Sequence, residues 1–159
     1  MHIAYLLTGG NVGDRSKNIN AARSAIAACG NINKVSHIYQ TAAWGDEEQP
    51  PFLNQAIELH THLPPSALLH ALLGIEKKMG RIRKEKYGPR VIDIDILFYD
   101  KDIMDEDGLT IPHPEVQNRR FALACLADIA PHFMHPVLQK TITRLLKDCA
   151  DPLPVQKWK

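Results

Sequence analysis

Val91-Ile92-Asp93-Ile94-Asp95-Ile96-Leu97-Phe98-Tyr99 is the clearest strand in the chain. A strand sends alternate side chains to opposite faces, so Ile92, Ile94, Ile96 and Phe98 read as one apolar face suited to packing on helices. Asp93 and Asp95 share the other face, with Cα atoms about 6.5–7 Å apart. Aspartate is depleted in strands, and two on one face repel each other. A local rule broken in this way marks a candidate functional site. Carboxylate oxygens on a rigid strand suit Mg²⁺, which takes one or two of them and fills its shell with water and phosphate oxygens. Taken alone, Asp-x-Asp is more often the solvated face of an ordinary strand than a metal site.

The rest of the chain places this strand in a pattern. His2 to Leu7 reads as a short buried strand, and Gly9-Gly10-Asn11-Val12-Gly13 as a turn. Asp14 is an N-cap for a helix whose apolar residues Ile19, Ala22, Ile26 and Cys29 recur every three or four positions, with Gly30 as its C′ residue. Ile32 to Tyr39 is a second strand. A long irregular segment from Thr41 to Phe52 ends at Pro50-Pro51, and connections of this length are functional or disordered as a rule. Asn54 to Thr61 alternates as a third strand. Pro64-Pro65 opens a second helix with the stripe Leu68, Leu72, Ile75 and Met79, and Gly80 closes it. After the acidic strand come a hairpin return at Leu109 to Ile111 and helices around Phe121 to Ile129 and Lys140 to Cys149.

Strand–helix–strand–strand–helix–strand is the order of a split βαβ unit. It predicts an α+β, ferredoxin-like (α/β plait) fold, an antiparallel sheet with flanking helices on one face and the other face free to carry a site. With no internal repeat and no linker, residues 1–159 read as one domain. Such a fold hosts many activities, so function must come from the side chains.

The bulk composition narrows the classes. A net charge of +1 argues against a nucleic-acid binder held by its overall field. Three scattered cysteines, Cys29, Cys125 and Cys149, form neither a disulfide framework nor a zinc ribbon, and point to a reducing compartment. The expected setting is cytoplasmic, since no charged leader opens the chain and no apolar run approaches the roughly 20 residues that span a bilayer. Gly9 to Gly13 is neither a dinucleotide fingerprint nor a P-loop. Glu58, His60 and His62 share a strand face but have no evident fourth ligand, and are read as solvated. His132 and His135 receive no role.

Charge is instead concentrated locally. Lys77, Lys78, Arg81, Arg83, Lys84, Lys86 and Arg90 face Glu85 alone, a local +6 in a chain of net +1. Cations after a helix C-terminus are favourable in any case, which accounts for Lys77 and Lys78 but poorly for Arg90. Arginine's planar fork fits phosphate oxygens and lysine adds point charge, so metal, cations and positioning together suit phosphoryl transfer. Gly80, Gly88 and Pro89 would let this segment bend as a lid.

Lys86-Tyr87-Gly88-Pro89-Arg90-Val91-Ile92-Asp93-Ile94-Asp95-Ile96-Leu97 resembles the signature of the 6-hydroxymethyl-7,8-dihydropterin pyrophosphokinase family of folate biosynthesis. The resemblance covers essentially the whole chain. It includes Gly9-Gly10-Asn11-Val12-Gly13-Asp14, Tyr39-Gln40-Thr41, Phe52-Leu53-Asn54, Gly80-Arg81-Ile82-Arg83-Lys84, Leu109-Thr110-Ile111-Pro112-His113-Pro114 and Asn118-Arg119-Arg120-Phe121. It implies a monomer with two Mg²⁺ ions and ATP as co-substrate, transferring pyrophosphate to the hydroxymethyl group of a reduced pterin and releasing AMP.

By the same resemblance, Asp93 and Asp95 hold the metals, and Asp95 is the candidate to accept the hydroxyl proton. Arg90 contacts the transferred phosphates, while Arg81 and Arg83 belong to a closing loop. Lys84 and His113 reach ATP phosphates, Glu76 and Thr110 lie near the nucleoside, and Ile96 and Arg119 complete the ATP contacts. Asn54 reads the amide edge of the pterin with backbone groups near Thr41 and Trp44, and Phe52 and Phe121 stack on its ring. Without the resemblance, Phe52 reads as loop packing and Phe121 as helix core. The chain departs from the family pattern at Ala42-Ala43, Tyr87, Gly108 and Pro114, and not at the aspartates, Asn54 or the stacking rings. Two other readings compete. An RNA-binding module on this fold would want aromatic residues on its central strands, which are missing, and the aspartates would repel phosphate. An ordinary kinase would release ADP.

Overall fold

The computed structural model describes residues 1–42, 49–80, 90–106 and 108–158. In chain order the elements are β1 (His2–Gly10), α1 (Arg15–Ile26), β2 (Asn31–Val35), β3 (Tyr39–Thr41), β4 (Phe52–Thr61), α2 (Pro65–Lys78), β5 (Asp93–Tyr99), β6 (Met104–Glu106), β7 (Leu109–Ile111), α3 (Arg120–Ile129), α4 (Ile142–Asp148) and β8 (Val155–Lys157). One antiparallel sheet runs β5-β1-β4-β3-β8, and β2 also pairs with β4. This is the expected ferredoxin-like order, with β1 and β4 central. Leu109–Ile111 is a strand as expected, but it pairs with β6 in a separate ribbon and not with the acidic strand.

The helices begin where the sequence says. Asp14 caps α1, its Oδ1 accepting from the Lys17 N–H at 3.2 Å. Pro65 occupies the first turn of α2, where a missing N–H costs nothing, and Gly80 follows its end at φ +92°. Ile19, Ala22 and Ile26 of α1 and Leu68 and Leu72 of α2 pack on Leu6, Leu53, Ile57, Leu59, Ile94 and Ile96 of the sheet.

Five expectations are corrected. Ile32 to Tyr39 is not one strand but β2 and β3. Ser36 still bonds Ala56 of β4, but the N–H of His37 turns away to the Asp128 carboxylate of α3. Phe98 does not join the Ile92 face. A bulge in the pairing of β1 with β5, between Tyr5 and Leu6, leaves Leu97 without an opposite residue and sends Phe98 to the other side, against Tyr5 and Phe133. That other side is not free either. Among the described residues, α3 and α4 cover much of it through Leu123, Cys125, Leu126, Ile142 and Leu145 and leave a cleft at its end near Asp93. Gly9 and Gly10 are not a turn but the last residues of β1. Gly30 is extended (φ 160°) rather than left-handed, and the α-helix has already given way to a 3₁₀ turn at Ala27–Cys29. A Cβ on Gly30 would lie 2.2 Å from the His60 carbonyl oxygen, so close approach explains that glycine.

Away from that cleft, Glu58 is buried and not solvated as expected. Glu58 accepts from Tyr5, Asn33 and His60 rather than binding a metal. His135 is buried and its Nδ1 accepts from the N–H groups of Val137 and Leu138.

Candidate active site

The register of the three central strands builds the site. Gly9 of β1 pairs with Asn54 of β4 on one side and with Asp93 of β5 on the other. In the next row, Leu7 lies between Ala56 and Asp95. Asn54, Asp93 and Asp95 thus share the face that α3 leaves open. Gly9 allows the first row to close: a Cβ there would sit 2.2 Å from Asn54 Nδ2. Gly10 does the same for the chain entering β5, where a Cβ would meet the Val91 carbonyl oxygen at 2.2 Å.

Leu7, Gly9, Thr41, Ala42, Phe52, Asn54, Arg90, Asp93, Asp95, Arg119 and Phe121 line one cleft with about 580 Å³ of empty space, its open mouth included. Of the expected pterin residues, Thr41, Phe52, Asn54, Asp95 and Phe121 therefore meet in one place. Both rings face a cation: the Arg90 guanidinium is 5.7 Å from the Phe52 centroid and that of Arg119 is 6.0 Å from Phe121. Asn54 is buried. Its Nδ2 donates to the Thr8 carbonyl at 3.3 Å, while Oδ1 has no hydrogen-bond partner among the described residues. A buried acceptor in this state is costly unless a ligand satisfies it.

A second cleft is lined by Leu69, Leu73, Ile94, Asp95, Ile96, Asp105, Glu106, Gly108, Leu109, Thr110, His113 and Pro114. It gathers Asp95, Ile96, Thr110 and His113 of the expected ATP set. Asp95 lines both clefts. Arg119 lines the first cleft, yet its charge is also felt at His113. Glu76 lines neither. It is buried in α2 and accepts the Ile94 N–H at 2.7 Å, beneath the acidic strand. Trp44, Arg81, Arg83 and Lys84 lie outside the described residues.

Electrostatics distinguish the walls. Arg90 donates to Asp93 at 2.9 Å, a charge-assisted pair with only 14% of the arginine side chain exposed. Burial pushes the His113 imidazole down to about 4, helped by Arg119 and opposed by Asp93 and Glu115. His113 Nδ1 accepts from the Glu115 N–H at 3.1 Å, which leaves the proton of the neutral ring on Nε2.

Three groups of residues escaped the reading of the sequence. Asn11 is a joint: its Nδ2 donates to Gln49 and Pro50, its Oδ1 accepts from the Arg90 N–H, and its own N–H donates to the Arg90 carbonyl. The signal was a polar residue in a glycine-rich stretch after a strand. Leu69 and Leu73 carry the stripe of α2 around to the second cleft, one position beyond Leu68 and Leu72. Asp105 accepts from Thr110 at 3.2 Å, and nothing local announces it.

Residues 5–131 match the pattern of the family described as 7,8-dihydro-6-hydroxymethylpterin-pyrophosphokinase (HPPK). The chain belongs to the HPPK family. It is 40% identical over 158 residues to a 2-amino-4-hydroxy-6-hydroxymethyldihydropteridine pyrophosphokinase of Synechocystis sp., covering 97% of this chain and 80% of that one. To the protein of that name from Aquifex aeolicus it is 39% identical over 142 residues, 89% of each chain. The HPPK-DHPS crystal structure of Plasmodium falciparum with pteroate shares the fold at a TM-score of 0.74 and 18% identity. That match covers 92% of this chain and 44% of the solved chain, so this chain spans less than half of that protein. As an HPPK, the chain is a pyrophosphokinase of folate biosynthesis. Among the described residues no helix is long and apolar enough to cross a membrane.

Proposed function

We propose that this chain, acting as a single domain, transfers the β,γ-diphosphoryl group of ATP to the hydroxymethyl oxygen of 6-hydroxymethyl-7,8-dihydropterin. The observation that carries the proposal is Asp95, a carboxylate common to an aromatic cleft and a second, larger one. In the reaction the hydroxymethyl oxygen forms a bond to the β-phosphorus and loses its proton. The bond from that phosphorus to the α,β-bridging oxygen breaks, and AMP leaves with the electron pair.

The donor set fits Mg²⁺. Asp93 and Asp95 supply hard oxygens on one face, which suits an ion that takes its other ligands from phosphate and water. The proposal is that these two residues hold two Mg²⁺ ions, which when bound neutralise phosphate charge and make the phosphorus more electrophilic. The remaining work falls to the chain. Phe52 and Phe121 bury the flat ring, and Asn54 Oδ1 accepts from its amide edge. Asp95, at the junction of the clefts, takes the hydroxyl proton. Arg90 faces the developing charge, its backbone fixed by Asn11. Neutral His113 donates Nε2–H to a phosphate oxygen without adding charge, and Thr110 lies near the nucleoside. Glu76 holds the backbone of the acidic strand. Trp44, Arg81, Arg83 and Lys84 are assigned by family pattern alone.

The test is the nucleotide product. Protein, Mg²⁺, ATP and 6-hydroxymethyl-7,8-dihydropterin should yield AMP and a pterin diphosphate. Formation of ADP, or no turnover, sinks the reading, and salt-sensitive RNA binding without turnover would favour an RNA module instead.

A further inference from the structure

The segment that follows α4 touches both walls of the aromatic cleft. At one end stands Asp151, a buried carboxylate that is 5% exposed. Its Oδ2 accepts the N–H of Arg120, the first residue of α3, at 3.0 Å, and its Oδ1 accepts from Leu153 at 3.0 Å. Arg119, which precedes α3, provides no side-chain cap of its own. Asp151 therefore caps α3 from a distant part of the chain, with its negative charge at the favourable end of the helix. The Arg120 side chain closes the joint by donating to the carbonyls of Asp151 and Cys149 at 3.1 and 2.8 Å. The next residue is Phe121, one ring of the cleft.

The same segment then reaches the opposite wall. Thr41, on the rim of the cleft, donates its hydroxyl to the Pro154 carbonyl at 3.2 Å. β8 pairs with β3 through Tyr39–Lys157, Gln40–Gln156 and Thr41–Val155, and the Trp158 N–H donates to the Ile38 carbonyl at 2.7 Å. Trp158 lies under Arg15, whose guanidinium is 4.9 Å from the ring centroid and also donates to Gln40 and to the Pro51 carbonyl beside Phe52. One strap of ten residues thus joins the helix carrying Phe121 to the strand carrying Thr41 and the turn before Phe52.

We propose that residues 149–158 set the separation of the two walls of the aromatic cleft, with Asp151 a positioning residue for the planar substrate and not for the nucleotide. The claim rests on the functional reading above. It concerns a part of the chain that none of the site residues occupies, and it assigns the strap to one of the two substrates. Asp151→Ala should raise the pterin KM about fivefold, the equilibrium equivalent of one lost helix cap. It should also weaken pterin binding, titrated with a non-hydrolysable MgATP analogue present, by the same factor. The MgATP KM should stay within twofold.

Asp151→Asn keeps an acceptor for the Arg120 N–H and should restore most of the pterin affinity. A merely structural role would lower the melting temperature without separating the two substrates. If Asp151→Ala does not fold, Trp158→Ala decides, because it loosens the strap from its other end on the surface. A higher pterin KM at constant MgATP KM supports the strap, and unchanged values for both overturn it. Equal loss of both substrates in Asp151→Ala also overturns it. The wild-type control separates the two claims. No pterin-dependent AMP from wild type removes the functional reading and the strap's assignment with it, whereas normal wild-type turnover with an unaffected Asp151→Ala removes the strap alone.

Discussion

Gly9→Ala should disable the pterin site while leaving the fold standing. Gly9 lies inside β1 and is not among the positive-φ glycines, so its backbone accepts alanine. The obstacle is steric and local. The added Cβ would meet Asn54 Nδ2 at 2.2 Å, roughly 1.3 Å inside the ~3.5 Å at which non-bonded atoms rest. The Leu53 carbonyl oxygen, at 3.5 Å, is not in the way. Only the end of one side chain must move, so the amide swings away by about an ångström and abandons its bond to Thr8. Overpacking of this kind costs about 1–3 kcal/mol of stability. A displacement of an ångström in a substrate-orienting group costs roughly 100-fold in catalysis. The assay pairs urea unfolding with the KM values for pterin and MgATP. The cycle with Asn54→Ala isolates the cause: in that background the clash is gone, and Gly9→Ala should change stability by less than about 0.5 kcal/mol while the pterin site stays impaired. Equal destabilisation in both backgrounds, or an unchanged pterin KM in Gly9→Ala, would refute the argument.

Asp95→Ala should lower turnover at least about 100-fold with the unfolding midpoint preserved, and a variant with wild-type turnover would remove Asp95 from the chemistry. His113, held down to about 4 by burial, should show no imidazole NMR titration near pH 6.5 in the nucleotide-free protein; a midpoint there would show the ring to be solvated. Because its folded pKa is lowered, the unfolded chain binds the proton first, so His113 contributes stability above pH 6.5 that declines as pH falls toward 4, and His113→Gln should flatten that part of the stability curve. At Asp128, burial raises the carboxyl pKa, but hydrogen bonds from His37 and Tyr39 outweigh it and the net shift is downward. Asp128→Ala should therefore cost about 1–2 kcal/mol at pH 7, with the difference from wild type disappearing as acid protonates the native carboxylate through its lowered folded pKa; a penalty that persists unchanged in acid would refute that assignment.

Much of this was legible in the residues. Alternation in Ile92-Asp93-Ile94-Asp95-Ile96 fixes which side chains share a face, because strand geometry has a period of two and needs no partner to be read. Asp14, Pro65 and Gly80 mark helix ends through purely local chemistry. The cations before Arg90 and the order of elements are likewise written along the chain, and the family pattern named Thr41, Phe52, Asn54 and Phe121 of the first cleft, Ile96, Thr110 and His113 of the second, and Asp95 of both, but not Leu69, Leu73 or Asp105. Glu76 shows the limit: its position in sequence says that it lies on α2, and only packing places its carboxylate on the Ile94 N–H.

Periodicity, local capping, charge placement and family membership can all be read along the chain. The tertiary structure alone decided that Asn54 and Asp93 flank Gly9, that Asp95 borders two clefts, that Phe98 leaves its expected face, and that Asp151 caps a helix elsewhere in the chain. The difference is one of range. Register, bulges and caps supplied from afar depend on hydrogen bonds between segments far apart in sequence, and a one-residue slip in any of them moves a side chain to the opposite face without altering a single local preference.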